Sequence, residues 1–189
     1  MSTTATRELQ YRQAIGEAIR QEMARDENVI IIGEEIAGGA GREDQGLSDA
    51  WGGAFRTTVG LIGEFGNKRV LDTPLSEAAF IGAAIGAAST GMRTIAELMF
   101  VDFIGVCMDQ LLNNAAKMRY MFGGQAALPV TFRIRMFYAR GAAAHHSDRN
   151  YPIFMNTPGL KIICPTNAYD AKGLMKTAVR DNDVCMLFE

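Results

Sequence analysis

Hydrophobic and polar positions along the chain switch between two periods. In residues 11–26, Ala14, Ile15, Ala18, Ile19 and Met23 recur at helical spacing and charges fill the other face, which predicts an amphipathic helix. Asn28 breaks it, and the β-branched run Val29-Ile30-Ile31-Ile32, closed by Gly33, reads as a buried strand. Strand-like runs follow at 69–71, 94–98, 129–133, 160–164 and 185–188, and helical patterns at 77–90, 103–118 and 168–180. About six strands separated mostly by helices, joined by right-handed crossovers, predict an α/β fold: one parallel sheet with helices on both faces. Residues 37–55 break the alternation. Gly38, Gly39, Gly41, Gly46, Gly52 and Gly53 lie there among charges, which predicts a long loop, and Trp51 stands where such a loop could close over a ligand.

Composition narrows the class. The 189 residues suffice for one domain with a real core. Lys plus Arg is 19 and Asp plus Glu is 21, a net charge of −2 that argues against a nucleic-acid partner. No apolar run approaches the ~18 residues of a membrane span, and the polar start lacks the apolar core of a signal peptide. Cys107, Cys164 and Cys185 are scattered without a Cys-x-x-Cys, so a reducing, cytoplasmic setting is the simpler reading.

Candidate chemistry concentrates where strands end. Asp72-Thr73-Pro74-Leu75-Ser76-Glu77 follows one strand and opens a helix, the place where open α/β sheets bind ligands. Pro74 presets the turn, Ser76 can cap the helix, and Glu77 falls in its first turn. Taken locally, Glu77 complements the helix dipole. The helix itself has almost no polar face. Gly82 and Gly86 lie on one side and lower its propensity, so close packing is expected, either as the central helix of its own domain or between subunits. Phe103, at the next strand-to-helix turn, packs in the core or flanks a flat ligand ring. His145 and His146 lie between small residues, accessible and suited to proton transfer near neutral pH, with no further ligands nearby for a metal. Phosphate-cradling motifs are missing: there is no Gly-x-x-x-x-Gly-Lys-Ser/Thr, no Gly-x-Gly-x-x-Gly after a strand, and no Gly-Asp-Gly.

Five segments in order carry a resemblance. They are residues 72–77, Asn114-Ala115-Ala116-Lys117-Met118-Arg119-Tyr120-Met121-Phe122-Gly123-Gly124-Gln125, His146-Ser147, Pro158-Gly159-Leu160-Lys161 and Asp170-Ala171-Lys172-Gly173-Leu174. Together, over residues 9–189, the chain resembles the beta subunit of the thiamine-diphosphate-dependent 2-oxo acid dehydrogenase decarboxylase component, a transketolase-like pyrimidine-binding domain. Trp51-Gly52-Gly53, residues 97–103 and Tyr151-Pro152-Ile153-Phe154 look most like acetoin dehydrogenase, with pyruvate and branched-chain 2-oxo acid members as the alternatives.

The resemblance implies a half-site. A beta subunit binds the pyrimidine of thiamine diphosphate, and an alpha subunit supplies the diphosphate site, its Gly-Asp-Gly motif and a divalent cation. It implies that Glu77 is the catalytic carboxylate that promotes the imino tautomer of the aminopyrimidine, reversing the local reading. It implies that Phe103 packs beside the pyrimidine and that His146 assists acyl transfer to lipoamide. Val130, Ala178, Val179, Asp181 and Asp183 match a structural monovalent-cation (K+) site, with Asp183 replacing a usual Asn. Implied partners are the alpha subunit, further copies in an α2β2 assembly or a homodimer, and the lipoyl domain of an acyltransferase core. The reaction would be cleavage of acetoin with transfer of the acetyl unit to lipoamide.

Two departures stand out. Ile134-Arg135-Met136-Phe137-Tyr138-Ala139-Arg140 replaces a Gly-rich stretch, and Asp148-Arg149-Asn150 replaces a Gln-Ser start. The sequence ends at Glu189 after its last strand, where family members continue into a second domain. Residues 1–189 are therefore expected to be one pyrimidine-binding domain with a disordered start over 1–8. A non-catalytic binding module is the alternative for such a chain alone.

Overall fold

Six short strands assemble into one sheet in the order β2-β1-β3-β4-β6-β5, every neighbouring pair parallel, with the four inner strands buried on both faces. They are β1 (Val29–Glu34), β2 (Val70–Thr73), β3 (Arg93–Leu98), β4 (Val130–Ile134), β5 (Lys161–Ile163) and β6 (Cys185–Phe188). The computed structural model describes residues 7–38, 52–136 and 142–189. Trp51, most of the Gly-rich segment and residues 137–141 lie outside the described residues.

The strand order dictates which face each crossover covers. From β1 the chain steps to one side for β2, then back past β1 for β3. Right-handed crossovers in opposite directions lie on opposite faces. Accordingly α2 (Leu61–Phe65) packs on one face with α1 (Tyr11–Arg25), and α3 (Glu77–Ser89) packs on the other. The chain reverses again from β5 to β6, which returns α5 (Ala168–Arg180) to the α1 face. There α1 and α5 are joined by the buried Glu22, which accepts hydrogen bonds from Arg25 (2.7 Å) and Arg180 (2.7 and 2.9 Å).

The expected helix over 103–118 is three windings in series. Residues Val101–Cys107 form a 3-10 helix, Gln110–Ala115 are π-wound, and α4 (Met118–Met121) completes the segment. The buried positions explain the change. Val101, Ile104 and Cys107 recur every three residues, the 3-10 period, whereas Leu111 and Ala115 are four apart. Variable winding keeps all five against the sheet.

In α3, Phe80, Ile81, Ala84, Ile85 and Ala88 are buried, while Ala79, Ala83 and Gly86 are exposed. A methyl group added at Gly86 would meet nothing within 4 Å, and one at Gly82 would meet only the Gln110 side chain at 3.6 Å. Packing among the described residues therefore does not require either glycine. Gly159 differs: its φ is +94°, and an added Cβ would lie 2.0 Å from the Ala116 carbonyl oxygen. At the amino terminus, Arg7 donates two hydrogen bonds to Glu17 (2.6 and 2.8 Å).

Candidate active site

All six strands point the same way, so their carboxyl ends share one edge, and β1 marks the point where the connections diverge. A crevice outside such a switch point is the general ligand site of open α/β sheets. Glu34 ends β1, and Glu77, at the start of α3 after β2, lies on one side of it. The aromatic turn after β3 lies on the other.

Glu77 is the first residue of α3 and is half-buried. Ser76 occupies the position before it but makes no side-chain cap: its hydroxyl donates to the Pro74 carbonyl oxygen at 3.1 Å. The expected capping role is thus replaced by a local turn bond. Carboxylates crowd this corner. Burial, with the charges of Glu77 and Glu35, raises the pKa of Glu34. Burial also raises that of Asp72, with Glu35 adding to it, although the Ala37 N–H donates to Asp72 at 2.7 Å. On the 3-10 turn facing α3, burial and the Glu77 charge push the Cys107 thiol up to about 12, leaving it neutral and unreactive. The Thr73 hydroxyl is buried without a hydrogen-bond partner among the described residues.

Phe103 and His146 meet on the far side of β1. Their ring centroids are 5.4 Å apart, edge to face. Phe100 completes the group, 4.6 Å from His146 and 5.7 Å from Phe103. Phe55, from the segment before α2, packs on Phe100 at 5.2 Å, and the Arg135 guanidinium lies 3.7 Å over the Phe55 ring. The His146 segment is held by Asp102, whose Oδ1 accepts from the Ser147 and Asp148 N–H groups at 3.0 and 3.2 Å. The other oxygen, Oδ2, is buried without a partner among the described residues. His145 is exposed. Just before it, Ala143 has φ +64° and ψ −178°, a region that glycine alone visits readily.

The structure thus joins Phe103 to His146 and sets Glu77 across the end of β1 from them. Sequence reasoning missed Phe55, Phe100 and Asp102. Phe100 stands three residues before Phe103 and Asp102 directly before it, a signal that a strand-end turn could have offered. For Phe55 no local signal exists.

Beneath this edge lies a buried ion network, also unforeseen. Arg133 on β4 faces Glu97, its register partner on β3, and bonds to it and to Glu189. It also donates to the Thr57 hydroxyl at 2.9 Å. Burial raises the pKa of Glu97 against the pull of Arg133.

The implied cation residues lie at the opposite edge. Val179 and Asp181 give their carbonyl oxygens to Arg93 (3.1 and 2.9 Å), and Ala178 gives its own to the Asp181 N–H (3.1 Å). The Asp181 carboxylate accepts from Lys161 (2.7 and 2.8 Å), and that of Asp183 from Lys161 (3.1 Å) and Arg119. Among the described residues no three His, Cys, Asp or Glu side chains are placed to hold a metal ion, and no helix is long and apolar enough to cross a membrane.

Strand order, crevice and one-sided chemistry define an α/β ligand-binding domain. Comparison with known proteins gives the family: the chain belongs to the transketolase pyrimidine-binding domain family, which matches residues 7–189. It is similar to the beta subunit of acetoin:2,6-dichlorophenolindophenol oxidoreductase from Cupriavidus necator, 55% identical over 183 residues, covering 97% of this chain and 53% of the relative. The Bacillus subtilis subunit of the same name is 53% identical over 185 residues, covering 97% and 54%. The 2-oxoisovalerate dehydrogenase beta subunit of B. subtilis is 43% identical over 181 residues, covering 96% and 52%. Among solved structures, a split-gene transketolase described as an inactive beta4 tetramer superposes with a TM-score of 0.69 at 15% identity, covering 94% of this chain and 50% of that one. The chain spans about half the length of the curated relatives it matches.

Proposed function

We propose that this chain is the pyrimidine-binding half of the active site in a thiamine-diphosphate-dependent acetoin dehydrogenase, completed by an alpha subunit that supplies the diphosphate site and its divalent cation. The observation that carries the reading is the placement of Glu77 on one side of the end of β1 and the Phe100–Phe103–His146 group on the other, with the buried Thr73 hydroxyl and Asp102 oxygen unpartnered among the described residues. A half-buried carboxylate, an apolar ring wall and spare polar atoms fit a flat aminopyrimidine.

When bound, thiamine diphosphate supplies the carbon nucleophile that breaks a bond beside a carbonyl. The chain's own residues do the rest. Glu77 shares a proton with the pyrimidine ring through its carboxylate oxygen, Phe103 and Phe100 wall the ring from water, and His146 moves protons at a ring nitrogen during acyl transfer to lipoamide. Asp102 acts through His146, fixing the turn that carries it. Acetoin is preferred as substrate because identity is higher to acetoin-enzyme subunits (55% and 53%) than to the branched-chain subunit (43%) or a Rickettsia felis pyruvate dehydrogenase beta subunit (40%).

Two surfaces support partners. The exposed Ala79–Ala83–Gly86 side of α3 and its dispensable glycines suit a helix from another subunit. On α4 and just beyond it, Tyr120, Met121 and Phe122 are 89%, 71% and 58% exposed, three large apolar side chains in a row of the kind that suits a partner. We assign the chain to the cytoplasm and to an alpha–beta heterotetramer serving a lipoyl acyltransferase.

The test is Glu77→Gln in the reconstituted full-length complex. Turnover should fall by about 10²–10⁴-fold, the range of a lost acid–base group, with unfolding within about 0.5 kcal/mol of the parent. Near-normal turnover refutes the role.

A further inference from the structure

We infer that side-chain cations take the place of a monovalent metal ion at the amino edge of the sheet. The Lys161 ammonium and the Arg93 guanidinium hold the Val179, Asp181 and Asp183 oxygens that such an ion would draw on. The proposal concerns only this edge and stands whether or not Glu77 acts on a cofactor.

A bound potassium ion is held by several oxygens at once, and residues 178–183 at the end of α5 offer them. They are already engaged. Lys161 opens β5 and sets its ammonium against both Asp181 oxygens, at 2.7 and 2.8 Å, and one Asp183 oxygen at 3.1 Å. Arg119, next to the start of α4, bonds the other Asp183 oxygen. Arg93, which opens β3, donates to the Val179 and Asp181 carbonyl oxygens and to the Asn182 side-chain oxygen, and pairs with Asp26 at 3.7 Å. Three cations therefore face three carboxylates, and the Ala178 carbonyl is taken by a backbone N–H.

Charge decides the outcome. An ammonium is a compact point charge with the same unit charge as a potassium ion. A metal ion entering this set would sit beside Lys161 and Arg93 and would have to displace one of them. The carboxylate at Asp183, where the resemblance leads one to expect an amide, gives Arg119 and Lys161 a charged partner in place of a neutral one. The cluster joins α4, β5 and the α5–β6 turn and so performs the structural task of an ion without one. The same Arg119, Lys161 and Asp183 rim a cavity of about 1010 Å³ between α4 and residues 157–161.

Thermal unfolding of the full-length chain in potassium, sodium and choline chloride at equal ionic strength tests this. The three midpoints should agree within about 1 °C. An ion bound only by the folded state, at about a hundred times its Kd, would raise the midpoint by about 5–10 °C. Lys161→Met vacates the Asp181 carboxylate, and this variant should gain a potassium-specific rise of several degrees over choline. Lys161→Gln serves if the Met variant fails to fold. A potassium-specific rise in the unsubstituted chain overturns the proposal. A Lys161 variant that stays indifferent to potassium overturns the assignment of Lys161 as the ion's stand-in.

Discussion

The two edges of the sheet treat charge in opposite ways. At the amino edge Lys161, Arg119 and Arg93 meet Asp181, Asp183 and Asp26 in pairs. At the carboxyl edge, Glu34, Glu35, Asp72 and Glu77 gather with no opposing cation paired to them among the described residues. Burial and mutual repulsion raise Glu34 and Asp72, and Thr73 and Asp102 hold buried oxygens unpartnered among the described residues. Both edges are built from the same strands, so topology alone does not set the difference. A protein can leave polar groups unmatched where something else completes them, and matches them where they only hold structure. Substitutions at the amino edge should therefore cost stability, and those at the carboxyl edge should cost function.

The largest expected exception sharpens that division. Arg133 lies under the carboxyl edge but belongs to the paired network. Arg133→Met strands Glu97 and Glu189 and should destabilise the fold by about 3–5 kcal/mol, read by urea unfolding. A loss below about 1 kcal/mol would show that the network is not structural. Next comes Asp102→Ala. It frees the Ser147 and Asp148 N–H groups, and net bonds to a charged acceptor are worth up to about 1.5–3 kcal/mol each, less at an exposed turn such as this. Hydrogen exchange at those two amides should quicken at least tenfold, while amides of β3 keep their rates.

Acid separates the edges by sign. Burial raises Asp181, but bonds from Lys161 and nearby N–H groups outweigh it, so its folded pKa lies below the ordinary carboxylate value of about 3.9. It stabilises the fold above that value, and the contribution is lost as pH falls through the folded pKa. Glu34 and Asp72 run the other way: their raised pKa values favour the protonated fold, and that advantage is lost as pH rises through them. Asp181→Asn should therefore flatten the acid limb of stability by no more than about 1 kcal/mol, since Lys161 is half exposed. Glu34→Gln should steepen the acid limb. Equal slopes in both variants would erase the contrast. The smallest effect is a gain: Ala143→Gly relieves a strained φ before the His146 turn and should stabilise by about 0.5–1 kcal/mol in unfolding experiments.

What the chain made legible follows from what is local. The helix at 11–26, that at 168–180 and the run at 185–188 match α1, α5 and β6 closely, because an amphipathic stripe or a buried apolar run is written in neighbouring residues. The 103–118 segment was harder, since 3-10 and π winding respond to the sheet beneath rather than to helix propensity. Glu77, Phe103 and His146 were assigned their roles through resemblance alone, and the structure places all three at one edge. Phe55, Phe100 and the Arg133–Glu97–Glu189 network were not legible, because long-range pairing decides them. Arg133 reads as a surface residue until its strand is buried on both faces.

The central claim is that this chain carries half of a cofactor site. Calorimetric titration of thiamine diphosphate into the full-length chain, alone and with its alpha partner, tests it most directly. The account expects no saturable heat from the chain alone and a saturable isotherm from the assembled pair, weakened at least tenfold by Phe103→Ala. Tight binding of thiamine diphosphate by the chain alone would contradict it.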